Sequence, residues 1–411
     1  MTLLPPRPAP VRPAPPRPAR DPAAPLTRDL APALRRRPRS RPDWILVGTA
    51  LTLSLIGAVL VWAATRNEQL AAGGNPRSYL YRHLLNVAIA GVLLVLASRL
   101  DSRLLRLLGP IVYGASLLGL GAVFVVGSTI NGAHAWIRLG GGFEIQPAEF
   151  MKLGLVIGLA VMFAQRAAGR PPAGIGGAAP PRRDILFALA LVAVPLALVM
   201  RQPDLGSAMV LAAAAFGVLI AAGVPARWTV GLVVLGVVGA VLAVKMGVLA
   251  EYQLARFTSF THPEKDPQGT AYNVTQARIA IAHGGLFGQG LFHGAQTSGG
   301  FVPEQQTDFV FSVAGEEFGL LGGTVVISLF GLLCWRALRI AARADVVGRL
   351  VASGVVSWLA FQAFQNIGMN LGLTPVTGLP LPFVSYGGSS MFAQGIAIGL
   401  LLAIDRQSRR L

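Results

Sequence analysis

From Trp44 to Ile404 long apolar runs alternate with short polar connections, and ten runs can be marked off at 44–65, 80–98, 104–127, 147–165, 184–200, 205–223, 227–249, 309–335, 347–371 and 387–404. Each is near the ~20 residues that an α-helix needs to cross a hydrocarbon core. The pattern predicts an all-α, polytopic integral membrane protein with about ten transmembrane helices. Gly206, Gly217, Gly236 and Gly239 fall inside runs, where glycine lets helices approach closely in lipid. No repeat of fixed period is visible, so nothing indicates the inverted repeats of a transporter.

Composition agrees: 53% of the 411 residues are hydrophobic and 13% charged, about half the charged share of a soluble domain. Residues 1–43 stand apart, with thirteen of the 29 prolines and ten arginines against Asp21, Asp29 and Asp43. Such a segment cannot bury a core and is expected to be a disordered cytoplasmic tail, followed by a membrane domain over 44–411. Its cluster Arg35, Arg36, Arg37, Arg39 and Arg41 suits a topology signal and contact with anionic membrane lipids. No cleavable signal peptide is expected, because the first run is long enough to span and no small-residue cleavage site follows it.

Lys plus Arg number 35 against 18 for Asp plus Glu, a net charge of +17. The basic residues recur in alternate connections: Arg99, Arg103 and Arg106; Arg166, Arg170, Arg182 and Arg183; Arg227; Arg336, Arg339, Arg343 and Arg349; Arg406, Arg409 and Arg410. Positive charge gathers on the cytoplasmic side, so both termini are expected there. No basic stretch is interleaved with aromatics, which argues against nucleic acid as a partner. Cys334 is the single cysteine, so neither an intrachain disulfide nor a thiolate metal cluster can form.

One connection is long: residues 250–308, between helices 7 and 8, on the expected extracellular side. It holds Glu251, Arg256, Glu264, Lys265, Asp266, Arg278, Glu304 and Asp308. Loops of this length are commonly functional.

Three polar clusters mark that side. Gln146-Pro147-Ala148-Glu149 leads to Lys152, with Glu149 and Lys152 on one helix face; charges at the start of a span mark either a functional site or a mutually neutralising pair. Arg201-Gln202-Pro203-Asp204 forms a tight turn in which Asp204 has the signature of an N-cap. Pro303-Glu304-Gln305-Gln306-Thr307-Asp308 enters the eighth span. Asp308 there is either a cap or a partly desolvated carboxylate whose proton affinity suits base catalysis. Glu316 and Glu317 are adjacent and cannot share a helix face, so at least one needs an internal partner or water. The stretch from Pro375 to Ser390 is apolar yet too broken by Pro and Gly for a plain helix, and suits the wall of an external cleft.

Taken together these motifs resemble the SEDS family of cell-wall proteins. The matching residues are Asn131-Gly132-Ala133 with Trp136, Gln146 to Glu149 with Lys152, Gln202 to Gly206, His283 to Gly290, Pro303-Glu304 with Thr307-Asp308-Phe309, and the stretch ending Ser385-Tyr386-Gly387-Gly388-Ser389. The resemblance runs from about Trp44 to the end. Thr374 to Phe383 and His293 to Thr297 are more similar to the elongation branch than to the division branch. Two positions depart: Gln306 stands where a histidine is common, and Ala135 where Arg or Ser is.

The resemblance implies a peptidoglycan glycosyltransferase that polymerises lipid II at the outer face of the cytoplasmic membrane, with a class B penicillin-binding protein as partner. It maps the essential aspartate onto Asp308 and the characteristic outer pair onto Glu149 and Lys152. The chemistry needs a base for an incoming sugar hydroxyl and positive charge for a departing pyrophosphate. Lys152, Arg201, Arg256 and Arg278 are candidate cations, and Glu304 and Ser385 complete the expected substrate contacts. A divalent cation, Mg or Mn, held by Asp308 or Glu304 would serve the same end, although no local run has the ligand count of a dedicated metal site. The glycines of the long loop would let it move as a lid, with Tyr272 to Ile281 lying on the membrane surface. Two rivals stay open: a lipid II flippase with Glu149 and Lys152 as its polar path, and a scaffold that recruits the transpeptidase.

Overall fold

The computed structural model describes residues 42–130, 133–140, 143–167, 179–246, 256, 260 and 269–409. The Pro/Arg-rich segment 1–41 and most of the first part of the long loop lie outside them. Among the described residues each apolar run becomes one helix: α1 Trp44–Ala71, α2 Ser78–Ser98, α3 Ser102–Val126, α4 Pro147–Arg166, α5 Arg182–Arg201, α6 Leu205–Ala221, α7 Ala226–Lys245, α10 Val310–Arg343, α11 Val346–Asn370 and α12 Gly388–Ser408. Eight are long and apolar enough to cross a membrane, while α6 and the apolar part of α7 are shorter. Two more helices, α8 Thr270–Gly284 and α9 Ala295–Gly299, lie in the long connection.

Start signals are visible in the side chains. Asp43, Asp204 and Asp345 each accept a backbone N–H three residues on, at Leu46, Ser207 and Gly348, so each satisfies a donor the first helical turn leaves open. Asp43 therefore belongs to the membrane domain and not to the tail. It also accepts from the Arg336 guanidinium of α10.

The bundle has a centre and a rim. In α4, 89% of the spanning residues are enclosed by protein, and in α12 78%, against 22% in α2 and α3. The rim helices expose Leu, Val and Phe, as lipid-facing helices do. Close approaches at the centre use glycine: a Cβ on Gly354 would lie 2.8 Å from Val156, and one on Gly154 2.9 Å from Ser116.

The bundle's depth can be read along α1. Gln305 donates to the Ala64 carbonyl, 2.6 Å away, and from Asp43 to Ala64 a helix rises roughly 30 Å. That equals the thickness of a bilayer core. Asp308, three residues beyond Gln305, thus stands at one end of the spanning bundle and Asp43 at the other. Asp43 also lies close enough to Arg409 to interact electrostatically, so the two ends of the described chain share one face.

The connection between α3 and α4 is a small antiparallel sheet, β1 Ser128–Ile130, β2 Ala133–Gly140 and β3 Phe143–Ile145, in the order β1-β2-β3. Sequence periodicity over so few residues does not announce it. A second departure is inside α10, where Gly319 has φ 65° and ψ −160° and breaks the helix in two. The loop backbone enters the break: Gln289 and Gly290 N–H bond the Glu316 and Glu317 carbonyls, and Leu320 and Leu321 N–H bond those of Gly285 and Leu286. Side chains on Gly284 and Gly288 would strike the carbonyls of Gly315 and Glu317. These glycines permit main chain to lie on main chain, so the described part of the loop is a clasp and not a hinged lid. α8 likewise packs on α10, with Ala277 and Ala280 buried, instead of lying on the membrane surface.

Candidate functional site

Asp308 is held from its backbone. Its carbonyl accepts the side-chain amides of Asn366 at 2.8 Å and Asn370 at 3.1 Å, and its N–H bonds the Glu304 carbonyl. Its carboxylate is not a helix cap, since α10 begins after Phe309 with no side-chain cap bond. Instead a side chain on Gly378 would meet Asp308 Oδ2 at 3.5 Å and Arg256 Nη1 at 3.4 Å, so the guanidinium and the carboxylate converge there. Desolvation raises the Asp308 carboxyl to about 7; Glu304 and Asp204 push the same way, and Arg256 and a hydrogen bond with Thr307 oppose them. A carboxylate of that affinity exchanges its proton near neutral pH.

The Pro/Gly-rich stretch forms the wall beside it. Gln362, Gln365 and Asn366 of α11 donate to the carbonyls of Pro380, Pro375 and Leu379, each at 2.8 to 2.9 Å. Irregular backbone at membrane depth needs such partners, because water is not there to supply them. Gln362, Asn366 and Asn370 repeat every four residues and lie on one helix face, a spacing that sequence reading could have flagged as amides inside a span.

The other two clusters join the same place. Gln146 Nε2 donates to Asp204 at 2.8 Å, and Gln146 N–H to Ser389 Oγ. A side chain on Gly206 would lie 2.7 Å from the Thr377 carbonyl, so the Asp204 turn abuts the wall. Arg201 is exposed in the last turn of α5. Arg278, exposed on α8, lies over Gly372, two residues past Asn370. Glu304 is exposed, at φ 53°, with its carbonyl gathering the N–H groups of Thr307, Asp308 and Phe309.

Three expected contacts lie deeper. Lys152 bonds Glu149 at 2.6 Å, with side chains 0% and 2% exposed. Lys152 also reaches Gln362 Oε1 at 3.2 Å and stands over the Trp358 ring. Both side chains are enclosed by protein, and through Gln362 the pair braces Pro380 of the wall. Ser385 is spent on main chain, donating to the Thr307 carbonyl at 2.5 Å and accepting from Leu381 N–H. Glu316 takes three donors from Gln296 and Thr297, and Glu317 one from Phe292, so both glutamates found internal partners.

Among the described residues no three His, Cys, Asp or Glu side chains group as metal ligands. Asp308 and Glu304 therefore present no preformed cation cage among the described residues.

The family model described as a cell cycle protein of the FtsW, RodA and SpoVE group matches residues 43–410. Stage V sporulation protein E of Bacillus subtilis is 35% identical over 374 residues, 90% of this chain and 99% of that protein. A probable peptidoglycan glycosyltransferase FtsW of Alkalilimnicola ehrlichii is 38% identical over 375 residues, 90% of each. Among solved structures, a chain of a peptidoglycan synthase complex that coordinates polymerization and crosslinking is similar at TM-score 0.73 and 34% identity, covering 90% of this chain and 100% of that one. The rod shape determining protein RodA of Thermus thermophilus is similar at 0.64 and 32%, covering 90% and 98%.

Proposed function

This chain belongs to the SEDS family of FtsW, RodA and SpoVE and is a peptidoglycan glycosyltransferase, and from that premise we propose that it polymerises lipid II with Asp308 as its base. The single observation that carries the assignment is the Asp308 carboxyl, raised to about 7 at the membrane boundary and facing Arg256 over Gly378.

Asp308 takes the proton of the acceptor GlcNAc 4-hydroxyl as that oxygen attacks the anomeric carbon of the donor MurNAc. The bond to the donor's pyrophosphate breaks as the glycosidic bond forms, so an α-linked donor gives a β-1,4 product in one inverting displacement. Arg256 is placed to take the negative charge of the departing pyrophosphate, and a guanidinium can grip two of its oxygens at once. Arg278 and Arg201 extend the positive rim. Glu149 and Lys152 act at one remove, by fixing the wall.

The Asp308 face is the extracytoplasmic one on this reading, because the basic connections lie at the opposite end. A class B penicillin-binding protein is the partner, a pairing supported by likeness to a synthase complex that both polymerises and crosslinks. Thr374 to Phe383 favours elongation, while several relatives carry the division name FtsW. Depletion with complementation separates the two: rescue of rod shape supports elongation, and rescue of septation supports division.

The test of the reaction is lipid II polymerisation by the purified chain with its partner, wild type against a folded Asp308→Ala variant. Glycan strands from wild type alone support the base; equal strands from both remove it. Transport without strands would favour the flippase.

A further inference from the structure

The end of the bundle opposite Asp308 carries a group of cations that the polymerisation chemistry leaves unused. Asp43 and Arg336 pair there, so the start of α1 and the last turns of α10 lie at one level. Arg339 and Arg343 follow Arg336 on one flank of α10, roughly 5 and 10 Å further along at the α-helical rise. Cations one and two turns past an apolar span lie at headgroup depth, and this is the end at which the basic connections gather. Both side chains are exposed, and among the described residues neither forms an ion pair with a carboxylate. Like charges four apart on a helix repel, and an anion between them removes the repulsion.

Trp335 orders these cations. The guanidinium carbons of Arg336 and Arg339 stand 5.7 and 5.0 Å from its ring centroid, so two cations share one indole. The indole is itself 51% exposed, and Trp44 at the start of α1 is 67% exposed, as aromatic side chains are at the rim of a hydrocarbon core. Arg336 has its counter-charge in Asp43. Arg339, held over the same ring, keeps its hydrogen-bonding edge for another group.

Towards the middle of the span the same flank turns apolar. Leu332, Val325 and Leu321 continue the helical spacing, and the last two are 51% and 55% exposed. Cations at headgroup depth beside an apolar track fit an anionic lipid whose acyl chains lie along the helix. A spanning helix of another protein fits less well, because its own cytoplasmic end would bring further positive charge to the same level.

We propose that Trp335, Arg339 and Arg343, beside the start of α1, form a site for one anionic phospholipid of the inner leaflet, with its phosphate between the two guanidiniums and its chains on Leu332, Val325 and Leu321. Seated where α1 meets α10, the lipid steadies the two helices that frame the Gln305 to Asp308 segment at the opposite end. The site stands whether or not Asp308 is the base.

The experiment uses the full chain in phosphatidylcholine nanodiscs, with phosphatidylglycerol as the probe. Lipid retained after transfer to detergent is counted by native mass spectrometry, and Tm is followed against the phosphatidylglycerol fraction. Wild type keeps one phosphatidylglycerol in preference to phosphatidylcholine, and its Tm rises with the anionic fraction and then saturates. Arg339→Gln combined with Arg343→Gln weakens retention at least tenfold, at roughly fivefold per arginine near a membrane surface, and flattens the Tm response. Trp335→Leu weakens retention severalfold. Arg99→Gln combined with Arg227→Gln, which removes two exposed cations of the same end away from α10, leaves it intact. Tm in phosphatidylcholine alone checks that each variant folds. No preference for phosphatidylglycerol in wild type, or retention unchanged without Arg339 and Arg343, overturns the site. Equal loss in the Arg99 and Arg227 variant also overturns it, as diffuse attraction to negative charge. A complex with the class B penicillin-binding protein that forms in phosphatidylcholine and dissolves on the two α10 substitutions overturns it too, and makes the flank a protein interface.

Discussion

Arg256 and Asp308 meet over the bare Cα of Gly378, whose φ of 71° is one that side chains rarely tolerate. Gly378→Ala adds a methyl in contact with both groups and strains the backbone by about 1–3 kcal/mol. It should lower kcat at least tenfold while the bundle stays folded by gel filtration and thermal melt. Unaltered turnover would show that the two groups need not meet there.

Asp308 sets the pH response. Its carboxyl titrates near 7 and works as a base when deprotonated, so kcat/KM should rise with pH along an acid limb near 7. Glu304 raises this affinity and Arg256 lowers it. Glu304→Gln should thus move the limb down and Arg256→Gln should move it up, as read from initial rates across pH 5–9 (a range of roughly two units either side of the carboxyl's value).

The same carboxyl costs stability. Because the fold raises its pKa, folded chain binds the proton more tightly than unfolded chain, and the stability this confers is full below the ordinary carboxylate value and lost as pH rises toward 7. Asp308→Asn should raise Tm by a few degrees at pH 8, raise it little at pH 4, and abolish polymerisation. Melts at the two pH values check the sign.

The sealed pair makes a different prediction. Removing one partner of a buried ion pair strands the other and costs about 3–5 kcal/mol. Lys152→Met should cost most of that, and combining it with Glu149→Gln should restore much of it. A lipid II KM that follows the melting temperatures marks a brace; a KM that stays high in the refolded double variant would mark a substrate contact.

Gly288 at φ 86° lies where any side chain would strike the Glu317 carbonyl. Gly288→Ala should spring the clasp, seen as faster proteolysis between α8 and α10 and a loss of activity out of proportion to the change in Tm.

Much of this was legible beforehand. Apolar run length located every long helix, because lipid demands about twenty consecutive apolar residues and little else. The Asp204 cap was legible because its signals are local. What escaped was non-local or too short. Three brief strands carry no periodicity, and the break at Gly319 depends on Gly285 to Gly290 arriving from another part of the chain. Ser385 and the Glu149–Lys152 pair have the chemistry of ligand contacts, and only their burial shows where their bonds go. The amides of α11 show their spacing in the sequence, but the carbonyls they hold, those of Pro375, Leu379 and Pro380, are brought to them only by the fold.

The inner bond between Asp43 and Arg336 carries a consequence for biogenesis. Asp43 opens the first described helix, whereas Arg336 lies near the far end of α10 and is made much later. Until it arrives, Asp43 is a carboxylate without its cation, and an early chain must keep it in headgroup water. Insertion of α1 is then provisional, and its final depth is set only once Arg336 has been synthesised, about four-fifths of the way along the chain.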